Sequence, residues 1–579
     1  MTLSTTTAGP ASWVRPASRW IFSQAADADV VRVLEREVKL PGRVCALLAG
    51  RGFLLPDDAK NYLRPRLHHL VDPSRLTDVD VAVARIERAI DAGERILVHG
   101  DYDVDGMCST TIVTRTLQAL GATVFPFIPH RLRDGYDLTS AGVHAAPEHG
   151  ATLVITCDCG TSASQPVAEL AAAGIDTIIC DHHLPGGPLP NAVAVLNPRA
   201  PHCQYPDKDL CAAGVVFKLV QALLRARGKG DTFALKMLDL VALATVADVA
   251  PLRGENRILV RYGLRLLQET SNVGLQALIR AVGLEGREIT AGRVGFVLAP
   301  RLNAAGRVGH GMRGVELLLE RDEQTALVIA RELEELNRER QAIDRQTLEE
   351  ARQMAEQLDL DSTYGVVLTS PSWHPGVIGI VASRLVELLT RPVILIATES
   401  GVGKGSGRST SRFDLHGGIL ACRELLQRFG GHRVAAGLTI AEDRIEAFSA
   451  AFNAVARGRL TPDDLIPEQR IDLEVACDDT LWKLENAVRH FEPFGMGNPA
   501  PTFVSRGMTL LNAPRTVGTD GIKLSLRGEQ GSLEAIGWGM ADLAASLVPG
   551  ATLDVAYRLE RDEFQGEERV VARLCAVRA

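Results

Sequence analysis

No stretch of this chain reaches the roughly 18 consecutive apolar residues that a membrane-spanning helix needs, so a helical transmembrane protein is not expected. The first residues, Met1 to Pro10, lack a basic segment followed by an apolar one, and no secretory signal is expected. Cysteine is sparse and scattered, ten in 579 residues, which argues against a disulfide framework and for reduced thiols in the cytoplasm. Low-complexity segments and short-period repeats are absent. A surplus of basic charge is missing too, since the formal net charge is −8. A polyanion would therefore have to be held by a local patch and not by bulk charge.

What is present looks like a large globular enzyme. A hydrophobic fraction of 46% and a charged fraction of 23% are ordinary values, and the length implies several domains. The apolar run Ile96 to Val98 ends in His99, Asp101, Asp103 and Asp105. These groups repel one another unless a cation sits among them. Oxygen-rich sets with an imidazole suit Mn²⁺ or Mg²⁺ before Zn²⁺. An EF-hand is disfavoured, because no Glu follows at the required spacing.

Other apolar runs end in the same way. Thr152 to Thr156 leads into Cys157-Asp158-Cys159-Gly160, Thr177 to Cys180 into Asp181-His182-His183, and Val241 to Ala247 into Asp248. Short β-rich runs separated by helix-length segments predict βαβ units around a parallel sheet, with ligands gathered outside its carboxyl edge. The acidic and imidazole groups then converge on one crevice. Cys157 and Cys159 are read as small buried residues, since no second cysteine pair stands at zinc spacing.

Asp103-x-Asp105-Gly, Asp158-Cys-Gly, Asp181-His182-His183 and Asp248 resemble the four motifs of the DHH phosphoesterase superfamily. Within it, five further segments resemble the bacterial RecJ family: Pro300 to Arg307, Trp373 to Gly379, Gly405 to Ser409, Gly430 to Gly437 and Phe494 to Phe503. The likeness spans roughly residues 40 to 579. One departure is Gly135-Tyr136-Asp137, where that family has Gly-Tyr-Gly, which leaves the conformation of this loop open.

The resemblance implies a single-stranded-DNA-specific 5′→3′ exonuclease that releases 5′-mononucleotides in DNA repair and recombination. It implies two divalent cations, Mn²⁺ with Mg²⁺ as the alternative, sharing a carboxylate, Asp158. His99, Asp103, Asp105, Asp158, His182 and Asp248 are the implied ligands, and Asp101 is either a ligand or a support for one. His183 is assigned to the scissile phosphate. Ser406 and Arg408, with Arg131, are the candidate stop for the 5′-phosphate. Arg301, Asn303, Arg307, His432 and Arg433 are the candidates for holding the DNA backbone. A single-strand-binding protein and a RecQ-type helicase are the implied partners of a monomer.

The predicted organisation is an N-terminal extension (1–75), a metal-bearing parallel α/β domain (76–255), a helical region with a long connector (256–360), a DHHA1-type α/β domain (361–460) and a C-terminal OB-type β-barrel (461–579) that binds single strands. The connector rests on Asp322 to Leu360, nearly free of Gly and Pro, which predicts a rigid helix of about 55 Å. Strands are predicted near Gly365–Thr369 and Pro392–Ala397. In the barrel they are predicted at Ile471–Val475, Thr509–Leu511, Ile522–Leu526, Leu533–Ile536, Thr552–Leu559 and Arg569–Leu574.

Between residues 404 and 433, Lys404, Arg408, Arg412, Arg423, Arg428 and Arg433 face only Asp414 and Glu424. Glycines at 403, 405 and 407 suggest backbone N–H groups free to approach a phosphate, although the order is not that of a P-loop. Trp373 and His374 fit either loop packing or a phosphate at the start of the next helix. Aromatics are few in the barrel: Phe494, Phe503, Trp538, Tyr557 and Phe564.

Two other functions fit parts of the pattern. One is hydrolysis of pyrophosphate, cyclic dinucleotides or very short oligonucleotides, disfavoured by the long β-rich C-terminal region. The other is a non-catalytic replication scaffold, disfavoured because all four motifs are intact.

Overall fold

The computed structural model describes residues 18–478, 481–564 and 567–578, with side chains described outside 562–568. The first α/β unit is built on a five-stranded, wholly parallel sheet. Its order is Thr123–Phe127, Arg95–Gly100, Leu153–Cys157, Asp176–Cys180, Ala194–Leu196. The strands are covered on both faces, which is why they read as unbroken apolar runs. The chain order reverses between Arg95–Gly100 and Leu153–Cys157, and such a switch point opens a crevice at the carboxyl edge. His99 pairs with Thr156 and Gly100 with Cys157, so the residues after both strands emerge together.

Asp248 does not end a strand. Val241 to Ala247 lies in the helix Leu238–Ala247, buried almost throughout, with Asp248 as its C-cap. A short, fully buried apolar run has no periodicity with which to tell strand from helix. The helix still delivers Asp248 to the same crevice.

The connector is one helix, Glu323–Glu356, of 34 residues, about 51 Å long. Asp322 caps it, accepting from the Thr325 amide at 2.8 Å. Ala326, Ile329, Ala330 and Leu333 join the core of the first α/β unit, and Ala351 and Ala355 join that of the second. The helix is thus packed at both ends, which fixes the spacing of the two units.

The second unit has a five-stranded sheet in the order Arg428–Gly431, Ala435–Ala441, Val402–Arg408, Val393–Glu399, Val366–Ser370. Only the last pair is parallel. The glycine-rich segment is therefore not a phosphate loop, because Val402–Arg408 pairs with strands on both sides. Its glycines serve packing. A Cβ on Gly405 would stand 2.6 Å from Leu438 Cδ1, and one on Gly403 2.7 Å from Ile396 Cγ2. Strand alternation then turns Lys404, Ser406 and Arg408 to the opposite face.

In the C-terminal region, Phe503–Leu510, Gly521–Arg527, Ser532–Gly537, Glu567–Arg578 and Thr552–Phe564 pair in a ring. Thr509–Arg527 pairing brings the ring back to its first strand, and this is a partly closed barrel of OB type. Of the barrel aromatics, Phe503 and Tyr557 are core residues, Trp538 is exposed beneath the Arg573 guanidinium, and the side chain of Phe564 lies outside the described residues. The N-terminal helices Ala28–Val38, Gly42–Gly50 and Pro56–Leu63 share the barrel's core, although more than 400 residues separate them in sequence. Among the described residues no helix is long and apolar enough to cross a membrane, and all ten cysteines are free thiols.

Candidate metal centre and phosphate pocket

The loop after Arg95–Gly100 is held from several directions. Asp103 caps the helix Val104–Ala119, accepting from the Asp105 and Gly106 amides at 2.9 and 3.1 Å. Asp105 accepts from the Ala212 and Ala213 amides at 2.7 and 2.8 Å, at the start of the helix Ala212–Ala226. Asn303 accepts from the Val104 amide at 3.2 Å. Gly306 packs so closely against the Tyr102 carbonyl that no side chain would fit. Pro300 to Arg307 is therefore first a clamp on the acidic loop.

Three ligand sets form in which the donor atoms lie within 4.8 Å of one another: Asp101, Asp103 and Asp158; Asp105, His182 and Asp248; and Asp158, His182 and His183. Asp158 joins the first set to the third, and His182 joins the third to the second. His182 Nε2 lies 3.2 Å from Asp158 Oδ1 and 3.8 Å from Asp105 Oδ2, with Nδ1 3.9 Å from Asp248 Oδ2. His99 belongs to none of these sets. Its buried ring stands against Gly142, with Nδ1 3.5 Å from the Cys159 thiol.

The electrostatics are those of a cluster built for cations. Burial, and then the charge of neighbouring carboxylates, pushes Asp101, Asp158 and Asp248 well above the ordinary range and Asp105 up to about 7. Burial lowers His99 to about 4 and, with the charge of His183, His182 to about 3, so both imidazoles are neutral and able to act as ligands. Asp101 Oδ1, Asp158 Oδ1, His99 Nε2 and His182 Nε2 are buried without a hydrogen-bond partner. Buried polar atoms are normally satisfied, and divalent cations fit this oxygen-rich donor set.

His183 differs from its neighbour. Burial opposes its protonation, but the hydrogen bond to Asp181, 2.7 Å from Nδ1, and the charges of Asp181 and Asp248 raise it to about 9. Asp181 also accepts from the Thr161, His182 and His183 amides, which orients the pair. On the other side, Tyr136 Oη lies 3.0 Å from His183 Nε2. From the second α/β unit, the His432 ring stacks near His183 at 6.5 Å between centroids.

The altered loop at residue 137 keeps the conformation a glycine would allow. Asp137 has φ +78°, and its carboxylate accepts from the Leu138 and Gly160 amides at 2.8 and 2.7 Å. Tyr136 lies in this loop and does not stand out in the sequence as a site residue. Its one signal there is the Gly-Tyr motif, which by itself speaks only of backbone geometry.

A cationic pocket lies next to the acidic cluster. Ser406 and Arg408 approach the start of the helix Ile378–Leu389, where a Cβ on Gly379 would meet Ser406 Oγ at 2.8 Å and Arg408 Nη2 at 2.9 Å. Arg131 lies over the Tyr102 ring at 4.7 Å. Arg307 donates to the Gly376 carbonyl at 3.1 Å. Burial, then the charges of Arg131, Arg408 and Arg340, lowers the Arg307 guanidinium to about 10, and burial and Arg131 lower Arg408. No ion pair joins Arg131, Arg307 or Arg408 to a carboxylate among the described residues.

Other candidates have different surroundings. Arg301 pairs with Glu334 of the connector at 2.8 Å and donates to the Val297 carbonyl. Arg433 is exposed and donates to the Ser411 carbonyl. Trp373 is buried and donates to Glu350 of the connector at 2.9 Å, and His374 accepts from the Gly376 amide, so both are loop packing.

Comparison with known proteins identifies the family. The chain matches the DHH family, N-terminal domain, over residues 95–245, the DHHA1 domain over 362–458 and the RecJ OB domain over 471–575. It is 36% identical to the single-stranded-DNA-specific exonuclease RecJ of Bacillus subtilis, over 95% of this chain and 70% of that one. The structure of RecJ from Thermus thermophilus in complex with Mn²⁺ is similar with a TM-score of 0.83 at 33% identity, covering 97% of this chain and 79% of that one. The complex of the same protein with Mg²⁺ gives 0.78 at 31% identity, covering 97% and 78%. The chain belongs to the RecJ family of single-stranded-DNA-specific exonucleases, hydrolases within the DHH phosphoesterases.

Proposed function

We propose that the protein degrades single-stranded DNA from its 5′ end, releasing 5′-mononucleotides with the help of two divalent cations, in DNA repair and recombination. The observation that carries this reading is the adjacency of two linked ligand sets and a cluster of arginines, Arg131, Arg307 and Arg408, that make no ion pair among the described residues. Asp101, Asp103 and Asp158 would hold one cation, and Asp105, His182 and Asp248 the other, with Asp158 shared and His99 as a further donor. Mn²⁺ or Mg²⁺ bound there supplies an activated water and charge neutralisation at the phosphoryl group.

The chain's own residues do the rest. Ser406 and Arg408, with Arg131 and Arg307, grip the terminal phosphate beside the first turn of Ile378–Leu389. This stop sets the next phosphodiester over the acidic cluster, which gives the direction of digestion. His183, oriented by Asp181 through Nδ1, donates from Nε2 to the scissile phosphate in place of Tyr136 Oη and favours the charge that develops there. Asn303 keeps the acidic loop in place, while His432 and Arg433 reach across from the second unit toward the DNA backbone. The barrel carries the trailing single strand, with Trp538 and Arg573 as its exposed aromatic and cation. A monomer working with a single-strand-binding protein and a RecQ-type helicase completes the reading on family resemblance.

The test uses oligonucleotides labelled at either end, single-stranded or duplex, with 5′-phosphate or 5′-hydroxyl, with and without Mn²⁺. Mononucleotides released from the 5′-phosphorylated end of single strands only with Mn²⁺ are the expected result. Release from the 3′ end would overturn the polarity and the phosphate stop together.

A further inference from the structure

The ring of Phe296 is 86% exposed, the largest exposure among the exposed large hydrophobic residues of the described chain. It stands on a single π-helical turn, Val294–Leu298, which interrupts the helical run leading into Ala299–Val308. The extra residue in such a turn shifts the helix face, and π-turns recur at functional sites. Here Val294 and Leu298 are fully buried while Phe296 points into solvent.

Its place relative to the acidic cluster is defined on both sides. A Cβ on Gly295 would lie 3.6 Å from Val246 Cγ1, in the last turn of the helix capped by Asp248. At the other end of the same run, Gly306 touches Tyr102 and Arg307 reaches Gly376 beside the phosphate pocket. Phe296 and Arg307 are eleven positions apart along this run, about 16 Å at 1.5 Å per residue. The helix thus runs alongside the ligand sets, with the phosphate stop at one end and Phe296 at the other.

Two other open apolar residues lie on or beside the loop that follows Asp248. Val249, 57% exposed in a left-handed conformation (φ +58°), follows Asp248, and Met496, 55% exposed, is tied to the same loop by the Leu252 amide at 2.8 Å from its carbonyl. Single exposed apolar residues are ordinary on a protein surface. Phe296 is different, because its turn packs on the helix that Asp248 caps, so its open ring lies on the metal-ligand side of the first unit. The partner that fits must present a flat apolar face next to a phosphodiester held at the cluster, and that is a nucleobase.

We propose that Phe296 is a stacking platform for an unpaired base just 3′ of the scissile phosphate. This rests on the 5′-end reading above for its sense along the strand. Stacking on an aromatic face is tolerant of sequence because every base has a π face. It also requires the base to leave its complement, so the platform selects against paired DNA at the position where the strand is cut.

The test measures KM for mononucleotide release from 5′-phosphorylated single strands by the full chain with Mn²⁺. Phe296→Ala and Phe296→Leu are expected to raise KM roughly 5- to 100-fold, the range for loss of one base–aromatic stack. Phe296→Trp and Phe296→Tyr are expected to stay within about twofold of the parent. In the parent, an abasic site scanned through the first three nucleotides 3′ of the cut is expected to raise KM similarly at one position. In Phe296→Ala the same abasic site is expected to add nothing. Parent-like KM in Phe296→Leu, or an abasic penalty of equal size in both proteins, would overturn the proposal. A label released from the 3′ end by the parent would instead overturn the polarity reading. The two failures are distinguishable, because the platform is scored by KM and abasic position and not by the labelled end. Unchanged thermal transitions exclude misfolding as the cause.

Discussion

Asp158 carries two burdens at once, since its carboxylate links two ligand sets and its backbone lies in the left-handed region at φ +68°. A non-glycine residue held there is strained, and the surrounding strand ends must hold it. With a cation bound only to the folded state, Mn²⁺ is expected to raise the thermal transition, through a stabilisation of about 2.7 kcal/mol at a hundredfold excess over Kd. Asp158→Asn is expected to lose most of that rise together with the nuclease activity, as read by differential scanning calorimetry with and without EDTA. His183 acts on the phosphate in this reading, so His183→Ala is expected to lower kcat about 10²- to 10⁴-fold. Tyr136→Phe removes only one of its two side-chain partners and is expected to cost less; single-turnover kinetics would show an equal loss if the pair acted as one unit.

At the scale of the element, Val402–Arg408 divides its labour by the pleat of a strand. Odd positions are glycines against Ile394, Ile396, Leu415 and Leu438, and on the other face Ser406 and Arg408 reach the start of Ile378–Leu389. Gly405→Val is expected to destabilise the protein by about 1–3 kcal/mol through overpacking, measured by urea denaturation. Ser406→Ala is expected to leave stability unchanged and to reduce the preference for 5′-phosphate over 5′-hydroxyl ends. The reverse outcome in either variant would show that the alternation is misassigned. The same strand shows why glycine spacing in a sequence is ambiguous. A glycine required by a close neighbour and one required by a phosphate look identical until the neighbour is in place.

Across the whole molecule, contacts between distant segments decide the arrangement. Arg257 is buried and donates to the carbonyls of Tyr62, Phe491 and Glu492, each at 2.9 Å, with its guanidinium 4.0 Å from the Tyr62 ring. It joins the first α/β unit to both the N-terminal helices and the segment leading into the barrel. Arg257→Met takes a charged donor from all three carbonyls, of which Phe491 and Glu492 keep weaker or neutral donors, and is expected to cost about 1–3 kcal/mol. Limited proteolysis should then release the N-terminal and barrel segments together, because they share one core. Separate release would show that the shared core is not a cooperative unit.

Much of this protein is legible without coordinates. His99 to Asp105, Asp158, His182 and Asp248 announce a cation centre, because so many carboxylates at the ends of apolar runs repel one another unless a cation lies between them. The long helix is legible because Glu323–Glu356 contains neither Gly nor Pro. Residues whose meaning depends on a distant partner are not legible. Arg301 and Arg307 belong to one motif, yet Arg301 pairs with Glu334 while Arg307 donates to a backbone carbonyl and makes no ion pair among the described residues. Asp248 ends a helix, His99 turns toward Gly142, Trp373 is anchored to Glu350, and Phe296 is thrust outward by a π-turn. Composition and local pattern set which chemistry this chain carries. Packing between segments far apart in sequence decides which side chains are left free to perform it, because a charge or a ring satisfied by one neighbour is no longer available to another.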